Sequence, residues 1–217
     1  MSNHLHREIE GLKKRILSVS AMVEESLQKA IRSLHQQDAS LGQNVIDTDK
    51  QIDMLEVQVE EECLKILALH QPVAIDLRFI ISILKINNDL ERIGDLAANI
   101  AERSVELADG DPIAVPPMVV HMAKCAQTML KQSIDSLVNL DRSLADTVCL
   151  ADDEVDDLHS HMYVFIEDKI RSDPAKLSLW IHYLAISRYL ERIADHATNI
   201  AEDVIYMIEG EISRHLI

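Results

Sequence analysis

Apolar residues recur at Leu5, Ile9, Leu12, Ile16, Val19, Val23, Leu27, Ala30 and Leu34. Steps of three and four place them on one stripe of a helix, so the pattern predicts a first long helix from Leu5 to about Leu34. The Asp38-Ala39-Ser40 break offers a cap, and a second run follows through Val45, Ile52, Leu55, Val59, Cys63, Ile66 and Leu69. Pro72 ends it, because proline lacks the amide hydrogen that would continue the ladder. A third run extends from about Val73 to Ala108, and then come Asp109-Gly110-Asp111-Pro112 and Pro116-Pro117, the densest cluster of helix breakers in the chain. Beyond it the plan repeats: a helix from about Pro117 to Leu140, another from about Ser143 to Arg171, a Ser172-Asp173-Pro174 break, and a last helix. The expected fold is all-α, six long helices in two tandem three-helix bundles.

The repeat is also visible residue by residue. Asn87 to Glu102 (NNDLERIGDLAANIAE) aligns without gaps to Ser187 to Glu202 (SRYLERIADHATNIAE), ten of the sixteen positions being identical at an offset of 100 (191 minus 91). A unit duplicated at that spacing predicts two similar bundles, residues 1–110 and 111–217.

Composition narrows the function. Five glycines and five prolines in 217 residues leave little material for hairpins, and 3% aromatic content leaves a core of Leu, Ile, Val, Met and Ala. With 37 acidic against 21 basic residues the net charge is −16, which repels a phosphate backbone and argues against nucleic-acid binding. Cys63, Cys125 and Cys149 lack any Cys-x-x-Cys spacing and read as reduced, small core residues. The start Met-Ser-Asn-His-Leu-His-Arg has no apolar leader core, and no stretch of about 18 uncharged apolar residues occurs. A soluble, cytoplasmic protein is expected. No glycine-rich phosphate loop, nucleophile elbow or Ser/His/Asp arrangement is present, so an enzyme is not expected.

The duplicated segment carries the candidate chemistry. At about 100° per residue, Glu91, Asp95, Asn99 and Glu102 fall within about 80° of one another, opposite an apolar seam of Ile86, Leu90, Ile93, Ala97, Ile100 and Ser104. Glu191, Asp195, Asn199 and Glu202 repeat the stripe. Like charges at i and i+4 destabilise a helix by a few tenths of a kcal/mol, yet the same acids stand in both halves while Asn88 and Arg188 differ. The second helix of each half offers a matching stripe, Asp49, Asp53 and Glu56 in one and Asp152, Asp156 and His159 in the other. Facing each other, these sets would assemble carboxylates, a neutral amide oxygen and, in the second half, one imidazole around metal ions. His4, His6, His35, His70, His121, His182 and His215 are expected in solvated or capping roles, with His196, beside Asp195, less clearly so.

At these residues the chain resembles the PhoU family, whose signature is a duplicated Glu/Asp-x-x-x-Asp motif in paired three-helix bundles. The resemblance spans essentially the whole chain and rests on Leu90-Glu91-Arg92-Ile93-Gly94-Asp95 with Asn99-Ile100-Ala101-Glu102, and on Leu190-Glu191-Arg192-Ile193-Ala194-Asp195 with Asn199-Ile200-Ala201-Glu202. Asp76-Leu77-Arg78 also resembles the family pattern; its counterpart Lys176-Leu177-Ser178 does not. The resemblance implies a regulator that couples a high-affinity phosphate ABC transporter to a sensor histidine kinase and represses the phosphate-starvation response when phosphate is sufficient. It implies iron or zinc clusters on Glu91, Asp95, Glu191 and Asp195, then on Asp49, Asp53, Asp152 and Asp156, with manganese, magnesium and nickel also chemically suited. Homodimers or larger assemblies, and work at the membrane face through partners, are further implications. Two other readings compete. A ferritin-like carboxylate oxidase or storage protein wants Glu-x-x-His on two core-facing helices, and only Asp156-x-x-His159 is present. A metal-independent acidic helical adaptor would dock a basic partner with the same stripes.

Overall fold

The structure, a computed structural model, describes residues 3–110 and 114–210. Six long helices run in order: α1 (Asn3–Gln36), α2 (Ala39–His70), α3 (Ala74–Ala108), α4 (Pro117–Asn139), α5 (Arg142–Ser172) and α6 (Leu177–Glu209). A single 3-10 turn, Pro174–Lys176, precedes α6, and no strand occurs among the described residues. The expected boundary between residues 110 and 111 adjoins 111–113, which lie outside the described residues, as does His215.

Helices α1, α2 and α3 pack into one bundle and α4, α5 and α6 into another, and α3 lies along α6. The expected seam is completely buried: Ile86, Leu90, Ile93, Ala97 and Ile100 are 0% exposed, as are Ile186, Ile193, Ala197 and Ile200 in the second bundle. Each such Ile or Leu contributes about 1.5–3 kcal/mol relative to an exposed side chain. Because α3 and α6 pack together, the buried residues of both bundles form one continuous core.

The turns are built alike. Gln37 and Leu140 adopt left-handed backbone at φ 51° and φ 50°. The next residues, Asp38 and Asp141, cap α2 and α5 by accepting hydrogen bonds from the Leu41 and Leu144 amides at 3.0 and 3.1 Å. These caps satisfy amides that the helices leave without a carbonyl partner. The α1–α2 hairpin packs closely against α3 at Gly42. A Cβ on Gly42 would lie 2.8 Å from Val105 Cγ2, 2.9 Å from Ser33 Oγ and 3.2 Å from the Ala101 carbonyl oxygen. Ser33 itself is buried in a 2.6 Å hydrogen bond with Ser104, so it has little room to yield.

Two stability outcomes follow from this packing, both measurable by urea unfolding. Gly42→Ala costs about 1–3 kcal/mol through overpacking, although alanine is the better helix former. Asp38→Ala costs about 1 kcal/mol through loss of the cap.

Candidate metal centre

The stripe of α3 faces α2 and the stripe of α6 faces α5, so each bundle carries an acid-lined groove. In the first, Asp49 and Asp53 of α2 and Asp95 of α3 bring one carboxylate oxygen each within 4.8 Å of the others. In the second, Asp156 of α5 and Glu191 and Asp195 of α6 do the same. The positions equivalent to Asp53 and Asp95 are thus used in both grooves. The third member differs, coming from the α2 aspartate in one bundle and the α6 glutamate in the other. Glu91 and Asp152, both expected ligands, border these trios rather than joining them.

Gly94 explains part of the closeness in the first groove. A Cβ there would stand 3.2 Å from Ile52 Cδ1 and 3.4 Å from Asp49 Oδ1, so its absence lets α2 approach α3. Asp49 Oδ1 is buried without a hydrogen-bond partner. A buried carboxylate oxygen left unpaired among other acids is costly unless a cation completes it.

Burial, followed by the charges of Asp53, Asp95 and Glu102, pushes the Asp49 carboxyl up to about 6. Burial, Asp195 and Asp156 push Asp152 to about 6 as well. Glu91 is raised by burial and Asp95 against the opposing charge of Arg92, which reaches Glu91 at 3.4 Å and Asp95 at 3.1 Å. Burial and the neighbouring acids Glu191 and Asp156 likewise raise Asp195. Arg92 is half-exposed, so it offsets the crowding only in part. An all-oxygen donor set with excess negative charge and an orphaned buried oxygen fits a hard or borderline multivalent cation. The residues that would hold it are Asp49, Asp53 and Asp95 in one groove and Asp156, Glu191 and Asp195 in the other.

At the end of each groove the bundles diverge together. Glu56 Oε1 accepts a 2.9 Å hydrogen bond from the buried Asn87 amide, which also donates to the Glu56 carbonyl at 2.9 Å. At the equivalent positions His159 Nδ1 meets Ser187 Oγ at 3.1 Å. Ser187 donates its own hydroxyl hydrogen to the Leu184 carbonyl at 2.9 Å, so its oxygen accepts from His159 Nδ1–H. Nε2 of the neutral ring is then the nitrogen available to a ligand. His159 nonetheless lies outside the 4.8 Å trio of its groove. Asn87 and Ser187 escaped the sequence reading because they differ in the two halves and sit on the buried side of the helix. Their paired change with Glu56 and His159 was the available signal.

Other expected ligands have different neighbours. The Asn199 amide donates to Asp89 Oδ1 at 3.3 Å, and His196 Nδ1 meets the same oxygen at 2.8 Å, so both side chains reach across to the other bundle. Asn99 is half-buried one turn beyond Asp95, and Glu102 is exposed. The histidines expected to be solvated or capping include several with acid partners: His70 lies 2.6 Å from Glu8, His182 3.2 Å from Glu106 and His121 3.1 Å from Glu154. Among the cysteines only Cys63 is a core residue; Cys125 and Cys149 are half-buried.

The raised carboxyls carry a pH dependence. Asp49 and Asp152 hold a proton in the folded chain up to about pH 6, whereas their ordinary value is 3.8. The folded state therefore binds more protons than the unfolded state between about pH 4 and 6, and their contribution to stability falls as pH rises through that window. In chelator, Asp49→Asn with Asp152→Asn will raise the melting temperature at pH 7, and the gain will vanish at pH 4. Thermal unfolding across that range checks it.

The PhoU domain family matches this chain over residues 16–104 and again over 119–204, once per bundle. The Aquifex aeolicus "Phosphate-specific transport system accessory protein PhoU homolog" is 39% identical over 211 residues, 97% of this chain and 96% of that protein. The Thermotoga maritima PhoU homolog 1 is 34% identical over 97% of this chain and 92% of its own. The crystal structure of PhoU from Pseudomonas aeruginosa superimposes with a TM-score of 0.92 at 36% identity, covering 95% of this chain and 99% of that one. The Streptococcus pneumoniae phosphate transport system regulatory protein PhoU gives 0.85 at 28% identity, covering 96% and 98%. With both bundles matched and full-length relatives above 30% identity, the chain belongs to the PhoU family.

Proposed function

We propose that this protein is a cytoplasmic, non-enzymatic regulator of phosphate uptake and phosphate signalling. In this reading it couples the cytoplasmic components of a high-affinity phosphate ABC transporter to a phosphate-sensing histidine kinase. It works as a homodimer or larger homo-oligomer and represses the phosphate-starvation response when phosphate is plentiful. Full-length relatives named as phosphate-specific transport system accessory proteins support the transport role. No described helix is long and apolar enough to cross a membrane, which suits a protein that reaches the membrane through partners.

The observation that carries the mechanistic part is the duplicated acid groove, with its Asp49 oxygen buried and unpaired. Multivalent cations, iron or zinc first, would neutralise each trio and join α2 to α3 and α5 to α6. The regulatory surface would then present a different charge with metal than without it, which is a physical route from metal occupancy to partner choice.

Metal content measured by plasma mass spectrometry, on protein purified untagged from its own cytoplasm, tests this. Several equivalents of iron, zinc or manganese per chain are expected, falling to one equivalent or fewer in Glu91→Gln, Asp95→Asn, Glu191→Gln, Asp195→Asn. Metal at a hundred times its Kd will add about 2.7 kcal/mol to the stability of the stripped wild-type chain. The same quadruple substitution in the native host is expected to switch on a phosphate-starvation reporter in phosphate-rich medium. Wild-type protein free of metal would make the grooves a docking surface for a basic partner, and turnover of ferrous iron with oxygen would overturn the regulatory reading.

A further inference from the structure

Away from both acid grooves, α4 and α5 bring a histidine, a thiol and a carboxylate to one spot. His121 and Cys125 stand four residues apart on α4 and share a face, and Glu154 reaches them from α5. His121 Nε2 lies 3.1 Å from Glu154 Oε1, and one ligand atom from each of the three residues falls within 4.8 Å of the others. We propose that His121, Cys125 and Glu154 form a separate site for a single borderline divalent cation, of the zinc class, on the outer surface of the second bundle.

The donor chemistry carries the assignment. Imidazole, thiolate and carboxylate are the three side chains that zinc takes, and two ligands four residues apart on one helix is a spacing that helix-borne zinc sites use. Around a tetrahedral zinc, ligand atoms stand roughly 3.3–3.8 Å from one another, given bonds of about 2.0–2.3 Å. The His121–Glu154 pair is already close to that separation, and the Cys125 sulfur lies within 4.8 Å of both. A thiolate with a glutamate supplies two negative charges, which balance a dication. Three protein ligands leave the fourth position open to water or to a partner's side chain.

The site is distinct from the grooves by position as well as by chemistry. Glu154 is two residues from both Asp152 and Asp156, about 200° around the helix from each, so it points to another side of α5. The fold does not require the triad either. At the offset that aligns Asp49 with Asp152 and Asp38 with Asp141, 103 residues (152 minus 49), the first bundle has Ser18, Met22 and Gln51. A second histidine cluster, His4, Glu8 and His70, is explained without metal. His70 hydrogen-bonds Glu8 at 2.6 Å, and Lys65 lies within ion-pair distance of the same carboxylate at 3.9 Å. At the α4–α5 site the His121–Glu154 pair has instead a neutral thiol as neighbour, which adds little to an ion pair but completes a ligand set.

Cobalt titration of the chelator-stripped full-length chain tests the proposal, because only a thiolate-bound cobalt gives sulfur-to-metal charge transfer in the near ultraviolet. In the quadruple groove variant, where the acid grooves no longer compete for metal, the band should rise to one equivalent and disappear on adding one equivalent of zinc. Cys125→Ser and His121→Gln should each abolish it, while Cys149→Ser leaves it unchanged. The quadruple groove variant should also keep the band, so failure of the groove reading and failure of this one are distinguishable. Because His121 and Glu154 are half-exposed, His121→Gln will fold normally by circular dichroism and decides the matter should Cys125→Ser not fold. Absence of the band in the wild-type chain, or its persistence in Cys125→Ser, overturns the site and leaves an exposed ion pair beside a thiol.

Discussion

Helices α3 and α6 must satisfy three environments around one circumference. One face carries Ile86, Leu90 and Ile93, or Ile186, Leu190 and Ile193, into its own bundle. A second meets the other bundle, where Asp89 accepts from Asn199 and contacts His196, and Lys85 reaches the buried Asp203 at 3.2 Å. The third presents the acids to α2 or α5. Because successive residues step by about 100°, an insertion or deletion would turn all three faces out of place at once. The ungapped alignment of this segment with its repeat keeps all three faces in register in both halves.

Acid crowding is the cost of the third face. Hydrophobic burial in a continuous core holds α2 against α3 and α5 against α6, and this forces carboxylates together that would separate in a free helix. Burial first, and this crowding second, raise the carboxyls of Asp49, Glu91, Asp152 and Asp195. Arg92 relieves it partly from the solvent side, and a bound cation would relieve it from within.

The two bundles share this plan without being copies. Glu56 with Asn87 became His159 with Ser187, a change of both partners that preserves the polar contact. Ala194 stands where the first bundle has Gly94, and the third acid is Asp49 beside Asp53 and Asp95 in one groove but Glu191 beside Asp156 and Asp195 in the other. Such differences give the grooves different donor sets, so they need not hold the same ion or hold it equally tightly.

Much of the architecture was legible in the chain. Apolar steps of three and four, Pro72, and the Asp109–Pro117 breakers located six helices to within a few residues, because helix periodicity and proline sterics are local properties. The ungapped repeat placed the acids of each half on one stripe, since that needs only the angle per residue. Their convergence on particular trios was not legible, because it depends on how deeply α2 and α5 seat against α3 and α6, which Gly94 and Ile52 help set. Nor was the turning of Asn199 and His196 toward Asp89, which sits 107 residues before His196 and meets it only once the bundles pack. His121, Cys125 and Glu154 looked like unrelated surface and core residues for the same reason. Sequence by itself determined the helices, their duplication and the sign of their charge, all properties of neighbours along the chain; tertiary structure alone decided which of those charges meet, because meeting is a property of distance.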